Sequence, residues 1–107
     1  METQKFLLNG AWVAGRSSEV ISSPYDGSEV GRVYYADKSQ LEAAIAGSVE
    51  AFSELKRMPA QERARILRVT AEGLSKGRED FARLIAEEAG KPIKAARAEV
   101  ERAIITF

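Results

Sequence analysis

Cysteine and histidine are both missing from the 107 residues. Their absence removes disulfides, thiolate nucleophiles, imidazole bases and every Cys/His zinc site in one step. No apolar run approaches the roughly 18 residues of a membrane span, and Met1-Glu2-Thr3-Gln4-Lys5 leads into no apolar core of signal-peptide length. A cytoplasmic protein with no membrane partner is the expectation. There is no excess of either charge, with 16 basic against 16 acidic residues, so a strongly polyanion-seeking protein is disfavoured. What is present is a globular composition, 45% hydrophobic and 30% charged, in a chain long enough for one core and too short for two. Any chemistry would have to come from carboxylates, lysines, hydroxyls or backbone.

The first third reads as strands and turns. Asn9-Gly10, between Phe6-Leu7-Leu8 and Ala11-Trp12-Val13, predicts a tight hairpin, because this pair accepts positive φ at both centres of a type I′ turn. A second turn is expected at Gly15-Arg16-Ser17-Ser18, then a short strand over Glu19-Val20-Ile21-Ser22. Pro24-Tyr25-Asp26-Gly27 combines a fixed φ, an Asx side chain and a glycine, which is turn chemistry throughout. A strand follows over residues 30–35, with Gly31 marking a bulge or a close backbone approach.

After Ala36 the hydrophobic period changes from two to about 3.6, and residues 37–107 read as four helices. The first opens at Asp37 or Ser39, since Asp37 with Gln40 and Ser39 with Glu42 are both capping-box pairs, and it is expected to bury Leu41, Ile45, Val49, Phe52 and Leu55. Pro59 suits the first turn of the second helix, whose stripe is Ala64, Leu67, Ala71 and Leu74, with a break at Gly77. The third starts near Glu79-Asp80, presents Phe81, Leu84 and Ile85, and stops at Gly90. Pro92 starts the fourth, with Ile93, Ala96, Val100, Ala103, Ile104 and Phe107 on one face. That stripe runs to the last residue without a cap, so the 107 residues read as a piece of a longer chain. The fold class expected is therefore α+β, an N-terminal hairpin and strands over residues 1–36 followed by helices over residues 37–107.

Candidate chemistry is sparse. Carboxylates adjoin at Glu79-Asp80, Glu87-Glu88 and Glu99/Glu101, but neighbouring helical residues point about 100° apart, so a solvated helix surface is favoured over acid–base work or a hard cation. Gly90-Lys91-Pro92 has the outline of an anion-binding corner, weakened by the donor that proline removes; a helix stop and restart is the preferred reading. Ser17-Ser18 and Ser22-Ser23 have no base to activate them. Trp12, Tyr25, Tyr34 and Tyr35 offer stacking surfaces but read better as sheet packing. Residues 55–107 hold 12 basic and 8 acidic side chains, densest at Lys56, Arg57, Arg63, Arg65 and Arg68, with no aromatic between Phe52 and Phe81. A solvated helix face fits that cluster better than nucleic acid does.

Taken in order, Leu8-Asn9-Gly10-Ala11-Trp12-Val13, Ser23-Pro24-Tyr25-Asp26-Gly27 with Val30-Gly31-Arg32-Val33, and Ala43-Ala44-Ile45 to Ala51-Phe52 resemble the opening of an aldehyde dehydrogenase. Arg63-Ala64-Arg65-Ile66-Leu67, Leu84-Ile85-Ala86-Glu87-Glu88-Ala89-Gly90-Lys91-Pro92-Ile93 and Ala96-Arg97-Ala98-Glu99-Val100-Glu101-Arg102-Ala103 are similar to that family's pattern as well. Ser23 stands where the family usually has asparagine, and Gly73 and Gly77 loosen a helix that is often better formed. The wording around Pro24 and Gly90 looks most like the branch acting on lactaldehyde, glyceraldehyde phosphate and related short aldehydes.

The resemblance implies the N-terminal part of an NAD(P)-binding domain in a homo-oligomeric parent enzyme. That enzyme would oxidise an aldehyde to a carboxylic acid through a cysteine thioester, with NAD or NADP as hydride acceptor. The catalytic and cofactor-binding residues of the family lie past Phe107, so no catalytic, cofactor or metal residue is carried onto this chain, and it is expected to bind no cofactor and to be inactive alone. The resemblance also implies a monovalent cation near the backbone of Ser22 and the carboxylate of Glu99, the alternative being that Glu99 pairs with Arg102. In a fragment the stripe Ile93, Val100, Ile104 and Phe107 would be left open, so self-association through residues 93–107 is expected, with the hairpin edge as a second contact. A stand-alone interaction module presenting an apolar helix face, and a weak nucleic-acid binder using the basic second half, are the alternatives.

Overall fold

The computed structural model describes residues 1–107 throughout. Four strands, β1 (Phe6–Leu8), β2 (Ala11–Val13), β3 (Ser17–Ser22) and β4 (Glu29–Tyr35), precede four helices, α1 (Lys38–Leu55), α2 (Ala60–Lys76), α3 (Arg78–Ala89) and α4 (Ile93–Thr106). They form two compact units, one of Met1–Ser22 with Gly31–Met58 and one of Ser23–Val30 with Pro59–Phe107. No helix is long and apolar enough to cross a membrane.

In the first unit β1 and β2 pair antiparallel, with Phe6 opposite Val13 and Leu8 opposite Ala11. Asn9 and Gly10 take φ of 47° and 83°, the two left-handed centres that a type I′ turn requires. β3 pairs with β4. Gln4 bonds to β4 as well, its N–H donating to the Arg32 carbonyl at 2.7 Å while its carbonyl accepts from the Tyr34 N–H at 3.0 Å. β3 begins at Ser17, so Ser17 and Ser18 are strand rather than turn: ladder pairing overrides the turn preference of serine. The glycine that the backbone needs is Gly15, where a Cβ would run into the Tyr35 carbonyl. At Gly31 a Cβ would meet nothing within 4 Å, so no close approach explains that residue.

α1 starts on Asp37, not Ser39. The Asp37 carboxylate accepts from the Gln40 N–H at 2.8 Å while the Gln40 side chain accepts from the Asp37 N–H at 3.0 Å, closing the capping box. The expected burial of the α1 stripe does not occur: exposure runs from 45% at Leu55 to 69% at Val49, with Leu41, Ile45 and Phe52 between them. The helix instead meets the hairpin on its small-residue side. There the Asn9 side chain donates to the Ala43 carbonyl at 3.2 Å, and the same amide lies so near Gly47 that a Cβ would collide with it.

In the second unit α4 packs on both α2 and α3. The core is Ala82, Ala96 and Val100, at 0%, 0% and 3% exposure, lined by Ile85, Ala86 and Ile104. Two alanines at the centre bring α3 and α4 close, which moves larger side chains outward. Phe81 and Leu84, expected to lead the α3 face, are accordingly exposed at 43% and 45%, and Leu67 of the α2 stripe at 47%. The α4 stripe over residues 93–107 is not open as a whole, contrary to expectation, since Val100 is buried and Ile104 half-buried beside the core, leaving Ile93 and Phe107 as its exposed members. Gly77 separates α2 from α3, and Gly90 ends α3 with φ 64° and ψ 27°. The Ser23–Val30 loop is tied by the Ser23 N–H to the Ser28 carbonyl and the Gly27 N–H to the Ser23 carbonyl, both at 2.9 Å, and it sets Pro24 against Gly90.

Candidate functional site

The corner between α3 and α4 is where the sequence concentrates charge. Gly90 in the left-handed region stops α3, and Pro92, with φ −57°, precedes the first residue of α4. Lys91 does not face an open cradle. Its Nζ donates to Glu99 Oε1 in a short ion pair, and Arg102 stands 3.9 Å from the same oxygen. The lysine holds the Glu99 carboxyl below the usual glutamate range. An incoming cation at Glu99 would therefore compete with two cationic side chains, and an incoming anion would find Lys91 spent. The corner is a stop and restart, reinforced by charge. Ser22 closes β3 in the other unit.

One turn away, Arg97 grips Glu79 with both prongs, Nε at 3.1 Å and a terminal nitrogen at 2.7 Å, and Arg78 meets Glu101 at 3.0 Å. The Arg97 bond lowers the Glu79 pKa and raises that of Arg97. A cleft of about 200 Å³ opens there, lined by Arg78, Glu79, Arg97, Val100 and Glu101, so its charges are already committed to one another. Asp80, Glu87 and Glu88 stay exposed, and no group of three acidic residues comes together to hold a metal ion. Sequence reasoning missed the Arg97–Glu79 fork, because nothing in the period of one helix announces which residue of the next it will meet.

The larger depression, about 620 Å³, lies between the hairpin turn and α1, with Leu7, Leu8, Asn9, Gly10, Gly47 and Ser48 among its walls. Ser48 donates its hydroxyl to the Ile45 carbonyl at 2.7 Å, and Glu50 and Glu54 line the same depression. Elsewhere Ser23 Oγ accepts from the Tyr25 N–H at 3.3 Å, and Asp26 accepts from both the N–H and the hydroxyl of Ser28, which lower its pKa. These are turn-building bonds. The expected aromatic sheet packing holds for Tyr34, which is half-buried, but Tyr25 is 92% exposed on its loop, Trp12 68% exposed on β2 and Tyr35 48% exposed at the end of β4. Arg63, Arg65 and Arg68 are all exposed along α2, with Arg65 bonded to Glu62 at 3.1 Å, the solvated face expected of them.

The fold thus defines a strand-led helical segment in which Glu79, Glu99, Lys91 and Arg97 tie α3 to α4 and Ser23, Asp26 and Asp37 build turns and a cap. The aldehyde dehydrogenase family model matches residues 12–107, and the chain belongs to that family. It is 37% identical over 106 residues to malonate-semialdehyde dehydrogenase 2 of Shouchella clausii, covering 97% of this chain and 22% of that protein. To the lactaldehyde dehydrogenase of Methanocaldococcus jannaschii it is 32% identical over 101 residues, 94% of this chain and again 22% of the relative. Among solved structures it superposes with a TM-score of 0.92 and 31% identity on the NADP-dependent glyceraldehyde-3-phosphate dehydrogenase of Bacillus halodurans complexed with NADP, covering 97% of this chain and 22% of that one. The chain spans about a fifth of the length of the relatives it matches.

Proposed function

We propose that these 107 residues form the N-terminal part of the NAD(P)-binding domain of an aldehyde dehydrogenase. The full enzyme of this reading oxidises a short aldehyde bearing a polar or acidic group to its carboxylic acid, with NAD or NADP accepting the hydride. Its cysteine nucleophile and water-activating carboxylate come from outside this chain, and the product leaves through a thioester. The observation that carries the proposal is the superposition of nearly the whole chain, strands and all four helices, on an NADP-complexed dehydrogenase. The names of the relatives, a malonate semialdehyde and a lactaldehyde dehydrogenase, support the substrate class. A cytoplasmic homo-oligomer is the setting that goes with this reading.

Within that enzyme the segment's role is architectural. The family's nucleophile, water-activating carboxylate and cofactor turn are expected outside it, so no catalytic residue, cofactor contact or metal ligand is assigned to this segment. The test is a chimera in which residues 1–107 replace the matching segment of the Shouchella clausii relative. The expected result is a folded protein that forms reduced nicotinamide from an aldehyde, while the 107-residue chain alone forms none. A folded chimera without activity, or turnover by the isolated chain that survives repurification, would overturn the reading.

A further inference from the structure

The first turn joins the only asparagine of the chain, Asn9, directly to Gly10, and both residues are exposed. Asparagine is among the thermolabile side chains, and a following glycine, having no Cβ, lets its backbone nitrogen reach back unhindered to the side-chain carbonyl carbon. At Gly10 a Cβ would meet nothing within 4 Å. Asn9 and Gly10 both line the depression of about 620 Å³ beside α1, so water reaches the pair.

The same amide is the latch between the hairpin and α1. Its Nδ2 donates to the Ala43 carbonyl at 3.2 Å, and a Cβ on Gly47 would stand 2.6 Å from Asn9 Cγ, so the carbon open to attack lies against the helix. Attack on Cγ expels Nδ2, the atom that Ala43 holds. Asp26-Gly27, the comparable pair, is tied down differently. The Gly27 N–H is given to the Ser23 carbonyl at 2.9 Å, and the Asp26 carboxylate accepts from the N–H and hydroxyl of Ser28, which keep it ionised and without a good leaving group.

We infer that Asn9 is a site of spontaneous deamidation, gated by its bond to Ala43, and that the product releases the hairpin from α1. The Gly10 nitrogen gives its proton to solvent and bonds to Asn9 Cγ. The Cγ–Nδ2 bond breaks, and Nδ2 takes a proton from solvent and leaves as ammonia. Water then opens the five-membered imide at either carbonyl, giving aspartate or isoaspartate; nothing is oxidised or reduced. Neither product has a side-chain N–H for the Ala43 carbonyl, so an acceptor stands where the latch had its donor. Isoaspartate also lengthens the main chain inside a two-residue turn whose geometry fixes the strand register. Docking and deamidation thus oppose each other, and the reaction makes a reversible opening of the hairpin permanent.

The test incubates the chain at neutral pH, in buffer and in urea, and follows residue 9 by peptide mapping with isoaspartate detection. Aspartate and isoaspartate should accumulate at residue 9 of the folded chain, several-fold more slowly than in urea. In Gly47→Ala, which pushes the amide off the helix, they should form roughly fivefold faster than in the folded parent, the ratio expected when one hydrogen bond no longer opposes opening. Asn9→Asp, which installs one product directly, should speed amide hydrogen exchange over residues 6–13 and leave α3 and α4 at parental rates. No conversion at residue 9 of the folded chain, or conversion as fast in buffer as in urea, would overturn the inference. So would a parental rate in folded Gly47→Ala, or a hairpin as protected in Asn9→Asp as in the parent. If Gly47→Ala does not fold, the buffer-against-urea and Asn9→Asp comparisons decide by the same criteria.

Discussion

Replacing Gly90 by alanine attacks the corner on which the second unit turns. Two separate costs can be worked out. At φ 64° and ψ 27° the residue sits in the left-handed region, which costs a residue with a Cβ about 1–2 kcal/mol. The new Cβ would also lie 2.8 Å from Pro24 Cγ, inside contact distance, and the proline ring has no alternative rotamer far enough away to relieve it. Adding a further ~1 kcal/mol for the displaced Ser23–Val30 loop gives about 2–3 kcal/mol in all, or roughly 10–20 °C in melting temperature for a domain of this size. Thermal and urea unfolding of Gly90→Ala, Pro24→Ala and the double variant would separate the terms. With Pro24 already alanine, Gly90→Ala should cost only the backbone part, and Gly90→Asn, which tolerates the left-handed region, should cost less than Gly90→Ala in the parent chain. If Gly90→Ala melts with the parent, or if the two substitutions are strictly additive, the contact with Pro24 is not what fixes this corner.

Asp37→Ala should lower the melting temperature by roughly 5 °C, with Asp37→Asn recovering most of the loss, because the cap needs an acceptor for the Gln40 N–H more than it needs a charge. At Gly47 the sign decides: helix propensity alone makes Gly47→Ala stabilising by about 1 kcal/mol, whereas collision with the Asn9 amide should make it destabilising and abolish the Asn9–Ala43 bond, observable as a shifted Asn9 side-chain amide resonance. Glu79 and Glu99 are held below the usual glutamate range by Arg97 and Lys91. The unfolded chain therefore binds more protons than the folded one, and the stability from these pairs is present above the usual carboxylate range and lost as pH falls through their lowered values. With the two side chains 47% and 32% exposed the loss should be small and reduced by salt; melting curves between about pH 6 and pH 3 should flatten in Glu79→Gln.

What the sequence made legible is what neighbouring residues decide among themselves. Asn9-Gly10 needed only its own φ values to specify the hairpin, Asp37-x-x-Gln40 its own side chains to start α1, and Gly77, Gly90 and Pro92 their own backbone limits to divide the helices. The capping choice between Asp37 and Ser39 stayed open because both pairs satisfy the same local rule, and the Ser39 hydroxyl ends by donating to Asp37 at 2.7 Å. Burial is a different kind of property. A 3.6-residue period marks a face that wants cover without saying what covers it, so Leu41, Ile45, Val49 and Phe52 read as core and stand exposed, while Ala82, small enough to let α4 approach, takes the centre expected for Phe81 and Leu84. The charged residues followed the same division. Glu99 with Arg102 is three residues apart and readable, Lys91 with Glu99 spans a corner, and Glu79 with Arg97 depends wholly on how α3 crosses α4. The turns and caps are satisfied by residues of this chain, which spans about a fifth of its relatives' length. The exposed α1 stripe is therefore the place where sequence and structure disagree most.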